Sequence, residues 1–210
     1  DVFPVLYKHY DTRPIGSIVI RNAAEDPIRN IEIRLDTEKY IDNAKISATV
    51  DLLPPGEEQH IDLLALFNEQ VLTITEGAKL SANINFRYEI GGADSYQEEV
   101  VTVEMYDRNA LRWDDDRKIT AFITAKDEEI QRFAKNVAAA IRSEQIDAVS
   151  TNMQLAIAVF ESMRAHGMTY VIDPSSAYAT MSENPLAIDY VQFPRQTLDF
   201  RAGDCDDLTA

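Results

Sequence analysis

The residues best suited to chemistry lie at the end of the sequence, where the only cysteine, Cys205, follows Gly203-Asp204. The run after it, Asp206-Asp207-Leu208, is typical of the first turn of a helix. We expect Asp204 to be the N-cap and Asp207, at the third helical position, to complete a capping box with it. Cys205 would then be the first helical residue, where unpaired backbone N–H groups and the helix dipole stabilise a thiolate. A nucleophilic cysteine needs this placement.

The same residues oppose ionisation of the thiol. The carboxylates of Asp204, Asp206 and Asp207 lie within two positions of Cys205, and nearby negative charges raise a thiol pKa. A helix dipole contributes about 0.3–1 kcal/mol at an exposed terminus, which is less than one pKa unit. An activated Cys205 therefore needs a histidine partner that a third group orients. Without one, a single cysteine is more often a small buried apolar side chain.

The end of the sequence resembles the nucleophile segment of the transglutaminase-like superfamily, which is related in architecture to papain-type cysteine proteases. The similar residues are Pro194-Arg-Gln-Thr-Leu and Arg201-Ala-Gly-Asp-Cys-Asp-Asp-Leu. The closest similarity is to the bacterial transglutaminase-like cysteine proteinases, in which a Gly-Asp-Cys-acid-Asp run begins the central helix. The run His166-Gly-Met-Thr-Tyr-Val-Ile-Asp-Pro is similar to the lead-in of such domains, so the resemblance covers roughly residues 127–210.

This resemblance implies a Cys-His-Asp mechanism on an amide or thioester, with Cys205 as the nucleophile. In the superfamily the His and Asp follow the cysteine, on strands packed against its helix, and this sequence ends five residues after Cys205. We therefore expect the N-terminal part of an enzyme domain, inactive by itself. Hydrolysis of a peptide or isopeptide bond is expected before cross-linking, because the similarity is to the proteinase branch.

Oxyanion donors can also be named. The backbone N–H of Cys205 is one candidate. The side chain of Gln192 or Gln196 is a candidate for the second, by analogy with the upstream Gln of papain-like enzymes.

Other polar residues are interpreted as structural. The imidazoles of His9, His60 and His166 are expected to be solvated or structural, and His166 lies where a helix dipole favours positive charge. Residues 114–116, three consecutive aspartates, are expected to be a solvated acidic loop, because no EF-hand spacing accompanies them.

We predict no metal and no cofactor. One cysteine excludes a Cys-based zinc cluster, and capping is a simpler role than cation binding for the carboxylates beside Cys205. Tyr170 and Asp173 are predicted to serve core packing and a turn, with a cleft beside Cys205 as the alternative.

Apolar residues at steps of three and four predict two helices before the C-terminal segment. The first begins after the cap Asp127. Its apolar stripe consists of Ile130, Phe133, Val137 and Ile141. The second begins after Ser150 and ends at Gly167. Its residues expected to be buried are Met153, Ile157, Phe160 and Met163. A short strand is expected over 168–172, and residues 175–200 are predicted to be an irregular connection.

The first half alternates between apolar and polar side chains, the pattern of strands with one buried face. The longest alternating run, 80–90, ends at Gly91-Gly92-Ala93-Asp94, and a second run follows over 101–105. This predicts a long antiparallel hairpin. The other predicted strands are residues 17–21, 31–35, 45–50 and 59–64. Short strands with turns at such spacing predict an immunoglobulin-like β-sandwich.

The predicted fold is a two-part α+β chain. Residues 1–106 form the antiparallel immunoglobulin-like sandwich, and 107–126 are a linker whose Trp113 packs between the two parts. Residues 127–210 form the helical first half of a papain-like, transglutaminase-like domain.

The charge balance excludes several classes of partner. The 210 residues include 36 acidic and 20 basic side chains, for a net charge of −16, which argues against binding to nucleic acid or anionic lipid. No apolar run approaches the roughly 18–20 residues that span a bilayer. The resemblance to the cysteine proteinase branch implies a protein or peptide substrate as the partner.

Two functions remain open. The first is a fragment of a transglutaminase-like thiol enzyme. The second is a non-catalytic envelope binding or scaffold protein with a degenerate domain of this kind. In either case the architecture resembles that of bacterial periplasmic or cell-surface proteins.

Overall fold

The computed structural model describes residues 1–142, 148–172, 184 and 186–210. The chain divides into two compact units, Asp1–Arg108 (unit 1) and Asn109–Ala210 (unit 2). Unit 1 is built from antiparallel sheets and most of the helices lie in unit 2, so the predicted α+β class is confirmed at this level.

Unit 1 contains six strands and two short 3₁₀ helices among its elements. The strands are β1 (Gly16–Arg21), β2 (Ile28–Asp36), β3 (Ile46–Leu53), β4 (Glu58–Leu63), β5 (Ala78–Ile90) and β6 (Ala93–Met105). The 3₁₀ helices are Pro4–Asp11 and Glu69–Thr73. One sheet has the order β3-β2-β5-β6 and the other pairs β1 with β4, with antiparallel neighbours throughout.

The predicted hairpin is present as β5 and β6, which pair from Ala78–Met105 to Ile90–Ala93. Gly91 and Gly92 form its turn with φ of 58° and 79°. A two-residue turn whose backbone twist suits a hairpin needs positive φ at both positions, which glycine adopts without steric cost.

One hydrophobic core unites the two sheets of unit 1. From the four-stranded sheet, Ile33, Leu35 and Ile84 are almost completely buried, and from the two-stranded sheet Ile61 and Leu63 join them. The alternation in the sequence therefore identifies the buried face of β2 and β5, since every second side chain of a strand lies on one face.

Unit 2 is formed by short strands and helices. Its strands are β7 (Ala110–Leu111), β8 (Thr169–Tyr170), β9 (Asp189–Tyr190) and β10 (Ala202–Gly203). Its α-helices are α1 (Glu128–Ile141), α2 (Thr151–Ala165), α3 (Pro194–Phe200) and α4 (Cys205–Thr209), and a 3₁₀ helix spans Asp116–Ala121. The strands pair as β7 with β9, antiparallel, and β8 with β10, parallel. No helix in the described part of the chain is both long and apolar enough to cross a bilayer.

Residues 109–126, predicted to be a linker, instead form part of unit 2. Strand β7 pairs with β9, and the indole Nε1 of Trp113 donates to Asp189 Oδ2 at 2.5 Å. Trp113 thus contributes to the interior of unit 2. Its partner is 76 residues away in the sequence, and local patterns carry no information on such pairings.

The described part of the predicted irregular connection 175–200 also differs from the prediction. It contains β9 and the helix α3, which begins with Pro194 at its first position, where a missing N–H costs nothing. In the acidic run 114–116, Asp114 and Asp116 are exposed, as expected of a solvated segment. Asp115 in addition caps the 3₁₀ helix that follows it and pairs with Arg117.

The expected burial of α2 is wrong. Met153, Ile157 and Phe160 are 56%, 52% and 67% exposed, and Met163 is half-buried. Helix α2 packs mainly on α1, and a single neighbouring helix covers only one side of it. The periodicity identified the helix, but a stripe of apolar residues does not specify what covers it.

Candidate active site

The cap of α4 positions Cys205. Asp204 Oδ1 accepts hydrogen bonds from the N–H groups of Asp206 and Asp207, at 3.2 and 3.5 Å. Asp207 Oδ2 in return accepts from the N–H of Asp204 at 3.4 Å, which closes a capping box. Cys205 is therefore the first helical residue, and its side chain is exposed.

Asp207 connects α4 to the segment after β9. Its Oδ1 accepts from the backbone N–H of Gln192 at 2.7 Å, and its Oδ2 accepts from Gln192 Nε2 at 2.5 Å. The Asp207 side chain is buried, and burial raises its pKa while the Gln192 bonds act in the opposite direction. One carboxylate thus satisfies three N–H donors from two segments.

Gln192 does not serve as an oxyanion donor in this arrangement. Its Nε2 donates to Asp207 Oδ2 and, at 3.2 Å, to the carbonyl of Ala202, so both amide hydrogens are used within the protein. The residue type suggested an oxyanion donor, whereas the structure gives Gln192 a role in holding β10 and α4 together.

Gln196 is likewise committed elsewhere. Its Oε1 accepts from the N–H of Phe193 at 2.9 Å and from Asn109 Nδ2 at 2.7 Å, and its Nε2 donates to Asn109 Oδ1 at 3.3 Å. Asn109 is buried and also donates to the carbonyl of Val191 at 2.7 Å. Sequence reasoning missed Asn109, because 87 residues separate it from Gln196.

An ion pair connects α3 to the start of α1. Arg195 donates through Nε to Asp127 Oδ2 and through Nη2 to Asp127 Oδ1, both at 2.8 Å. Asp127 also caps α1. The guanidinium of Arg195 is the main cause that lowers the pKa of this carboxyl. The sequence indicated the cap but not the arginine.

The Gly203 backbone lies too close to Asp207 for any side chain. A Cβ added at Gly203 would lie 2.6 Å from the Cβ of Asp207 and 3.0 Å from its Oδ2. The spacing Gly-Asp-Cys-x-Asp therefore has a steric reason, because the capping carboxylate folds back over the glycine.

Replacing Gly203 with Ala should consequently destabilise unit 2 by about 1–3 kcal/mol, the usual cost of overpacking. The measurement is the midpoint of thermal unfolding. Gly16→Ala is the matched control, because a Cβ at Gly16 meets nothing within 4 Å. Equal midpoints for the two variants would contradict the proposed close approach.

The thiol of Cys205 lies in a negative environment. Its Sγ is 3.9 Å from Asp206 Oδ1. Partial desolvation of this exposed thiol is the largest cause that raises its pKa, and the charges of Asp204 and Asp206 add to it, against a smaller opposing effect of backbone N–H groups. The electrostatic opposition expected from the sequence is thus present, and the helix terminus does not overcome it.

Tyr170 lies beside this thiol, because β8 pairs with β10 and places Tyr170 opposite Gly203. Its side chain is 58% exposed, so its predicted role in core packing is wrong. Partial desolvation by its neighbours raises the pKa of its phenol most, followed by the charge of Cys205. Asp173, considered together with Tyr170, lies outside the described residues.

Asp206 has the most perturbed carboxyl of the site. One of its oxygens, Oδ2, is buried and has no hydrogen-bond partner among the residues that the structure describes. Burial, a hydrogen bond with Asp204 and the charges of Asp204 and Asp189 raise the pKa of Asp206 to about 8. Asp189 is buried on β9 and accepts from the indole of Trp113. No sequence signal placed Asp189 near Cys205.

The ligand atoms of Asp204, Cys205 and Asp206 lie within 4.8 Å of one another, a spacing that a cation tolerates. Oxygen Oδ1 of Asp204 is nevertheless occupied by helix N–H groups. The cluster therefore acts as a helix cap in this structure, and its spacing alone assigns no metal.

No imidazole among the described residues is hydrogen-bonded to Cys205. His166 is the C-cap residue of α2, and its ring lies edge-on to the Phe133 ring with centroids 6.3 Å apart. His9 lies in the first 3₁₀ helix and His60 in β4, both in unit 1. All three side chains are exposed, as expected of solvated or structural histidines.

No protein-family model and no curated protein matches the chain. Five chains of solved structures are similar to it. One is in the crystal structure of the CsuC–CsuE chaperone–tip adhesion subunit pre-assembly complex from archaic chaperone-usher Csu pili of Acinetobacter baumannii. It is 12% identical over 55% of this chain and 54% of that chain, with a TM-score of 0.26. This chain therefore spans about half of that chain, and we draw nothing further from a likeness of this size.

Proposed function

We propose that this chain belongs to a transglutaminase-like thiol enzyme acting on amide or peptide bonds, with Cys205 as its nucleophile. The observation that supports this most is the exposed thiol at the first position of α4, held there by Asp204 and Asp207. These are the residues on which the resemblance to the cysteine proteinase branch rests. In this proposal unit 1 is an immunoglobulin-like sandwich, an interpretation that its two antiparallel sheets and shared core favour.

The chemistry is acyl transfer through sulfur. The thiol proton passes to an imidazole as sulfur attacks the carbonyl carbon, and the carbonyl oxygen is stabilised by the Cys205 N–H. The imidazole then returns the proton to the leaving amine, and water hydrolyses the thioester. Neither the imidazole nor its orienting acid is assigned to a described residue of this chain. The resemblance assigns both to sequence that follows the nucleophile.

The raised thiol pKa agrees with a proposal in which the thiol is activated by an imidazole that is not among the described residues. In this chain the thiol stays protonated at neutral pH, because partial desolvation raises its pKa and the charge of Asp204 adds to this effect. Asp206, whose own pKa is about 8, adds its charge only as the pH rises above neutral. A neighbouring imidazolium would supply the positive charge that the site lacks. The 210-residue chain is therefore proposed to be inactive alone, with its nucleophile in place.

Alkylation of the 210-residue chain tests the electrostatic part directly, since Cys205 is its only cysteine. We expect the rate constant with iodoacetamide to rise with pH through a midpoint above the ordinary cysteine value of about 8.5. Asp206→Asn should lower that midpoint, because Asp206 ionises at about pH 8, before the thiol does, and its charge then opposes the thiolate. Cys205→Ser is the blank, and a wild-type midpoint below the ordinary value would contradict the structure.

The function itself is tested on the protein encoded by the complete gene. We expect its continuation to contain a His followed by Asp or Asn, and the alkylation midpoint of Cys205 to fall well below the ordinary value. A midpoint that stays at or above it, with no effect of replacing that His, would exclude an activated nucleophile.

The raised thiol pKa also favours one alternative, a non-catalytic binding or scaffold protein that retains a degenerate domain of this kind. A protein or peptide is the proposed partner in both cases, and the proposed location is the bacterial periplasm or cell surface. Alkylation of Cys205 in the protein encoded by the complete gene separates the two functions, because only a catalytic nucleophile requires a lowered thiol pKa.

A further inference from the structure

Strand β6 is an edge of the four-stranded sheet of unit 1. It pairs with β5 along its 13 residues without a register shift, and the sheet order of the described residues places no strand on its other side. Among the described residues, only Val2 makes a bridge to it, at Met105.

The Val2 bridge shows which backbone groups of β6 point outward. The N–H of Val2 donates to the carbonyl of Glu104 at 2.8 Å, and the N–H of Tyr106 donates to the carbonyl of Val2 at 2.9 Å. Because the backbone groups of successive strand residues point to alternate sides, even-numbered residues direct theirs away from β5. The residues of this free edge are Asp94, Tyr96, Glu98, Val100 and Thr102. This edge already accepts extended chain at one end.

The free edge lacks most of the usual protections against pairing, and its charged residues are all acidic. Natural edge strands are commonly short, bulged, or interrupted by Pro or by charged side chains, Lys above all. β6 contains neither Pro nor Lys, has no bulge, and exposes 66% of Val100. A long regular edge of this kind is a template for another strand.

A small cavity of about 260 Å³, which we call the edge groove, is lined by residues of β1, β2, β3, β5 and β6. Its lining includes Ile20, Ile31, Leu53 and Phe86, together with Gln97 and Glu99 of β6. Its volume lies below the roughly 300–1,000 Å³ of small-molecule pockets, and its lining combines apolar side chains with the polar groups of Arg21, Gln97 and Glu99. A strand added to the free edge would direct alternate side chains to the face of the sheet that carries Gln97 and Glu99, and so toward this groove.

The acidic residues of β6 indicate that a pairing segment would be basic. The strand carries Asp94, Glu98, Glu99 and Glu104 and no basic residue. Opposite charges on neighbouring strands stabilise pairing, and complementary potentials favour encounter with a basic segment.

We infer that the free edge of β6 binds an extended segment of a partner protein, in which apolar residues for the edge groove alternate with Lys or Arg. The segment adds a strand to the sheet through the outward backbone groups, and this backbone pairing supplies most of the affinity. Its basic side chains lie beside the β6 carboxylates.

The probe is a fluorescein-labelled peptide of alternating Lys and Val, added to the 210-residue protein and followed by fluorescence anisotropy. We expect saturable binding. The same peptide N-methylated at alternate residues keeps its charge but cannot pair along an edge, so it should bind at least about tenfold more weakly. Equal binding of the two peptides would reduce the interaction to general charge attraction and overturn the inference.

Two variants locate the site. Val100→Pro removes an outward N–H without removing a hydrogen bond to β5, and Glu98→Lys with Glu99→Lys reverses the local charge. Each should weaken peptide binding at least about tenfold. The matched control is Glu25→Lys with Glu38→Lys, which makes the same change in net charge at exposed positions elsewhere in unit 1 and should bind as the wild type does. The charge-reversed variant keeps the test decisive if the proline variant does not fold.

Two results would overturn the inference. One is binding that neither variant weakens. The other is a wild-type dimer, seen by sedimentation velocity and abolished by Val100→Pro, with no peptide binding, since the occupant of the edge would then be a second copy of this chain.

Discussion

Asp207→Ala is expected to lower the free energy of unfolding of unit 2 by about 3–4 kcal/mol, because buried donors left without partners cost about 1–3 kcal/mol each. The variant removes the acceptor of the Gln192 N–H, the Gln192 Nε2 group and the Asp204 N–H. It also breaks the capping box of α4. Urea unfolding followed by the fluorescence of Trp113, the only tryptophan, measures the effect within unit 2.

Asp199→Ala is the matched control for this experiment. Asp199 is an exposed acid on α3, so its removal should change stability by less than about 0.5 kcal/mol. Asp207→Asn should fall between the two, because one oxygen can still accept from Gln192. A loss below about 1 kcal/mol for Asp207→Ala would show that the carboxylate does not hold the segments together.

Asp206→Asn is expected to stabilise the protein at high pH and to have little effect at low pH. The pKa of Asp206 is about 8 in the folded chain, above the value near 3.9 of an unfolded aspartate, so ionisation opposes folding. This destabilisation is absent below about pH 4, grows as the pH rises, and is complete above about pH 8. Asparagine has a similar shape and never acquires the charge.

The expected gain at pH 9 is about 2–3 kcal/mol, because solvent screening of a partly exposed carboxyl reduces the value that the full shift would give. At pH 4.5 the gain should be less than about 0.5 kcal/mol. The measurement is urea unfolding of both proteins at the two pH values, again followed by Trp113. If the difference in unfolding free energy between wild type and Asp206→Asn does not depend on pH, Asp206 titrates normally. The control is Asp199→Asn, whose difference from the wild type should not depend on pH.

The sequence alone was sufficient where the interacting groups are neighbours in the chain. The capping box of α4 involves positions 204 and 207, and Asp127 caps α1 through the N–H groups of Glu129 and Ile130. The Gly91-Gly92 turn determines the β5–β6 hairpin in the same local way. Short-range sterics and hydrogen bonds decide such features, so residue type and spacing carry the information.

Only the tertiary structure decided how the site is held and charged. Distant segments meet around α4. There the charge of Asp189 adds to the other causes that raise the pKa of Asp206. The side chains of Gln196 and Gln192 are hydrogen-bonded to Asn109 and Asp207, respectively. The residue type suggested that the side-chain amide of Gln192 could donate to an oxyanion. In the structure its Nε2 instead donates to Asp207 and to the carbonyl of Ala202. Periodicity likewise identified α2 but not the exposure of its apolar stripe. A pattern along one helix records its own faces, whereas burial and pKa depend on which other segments pack against them.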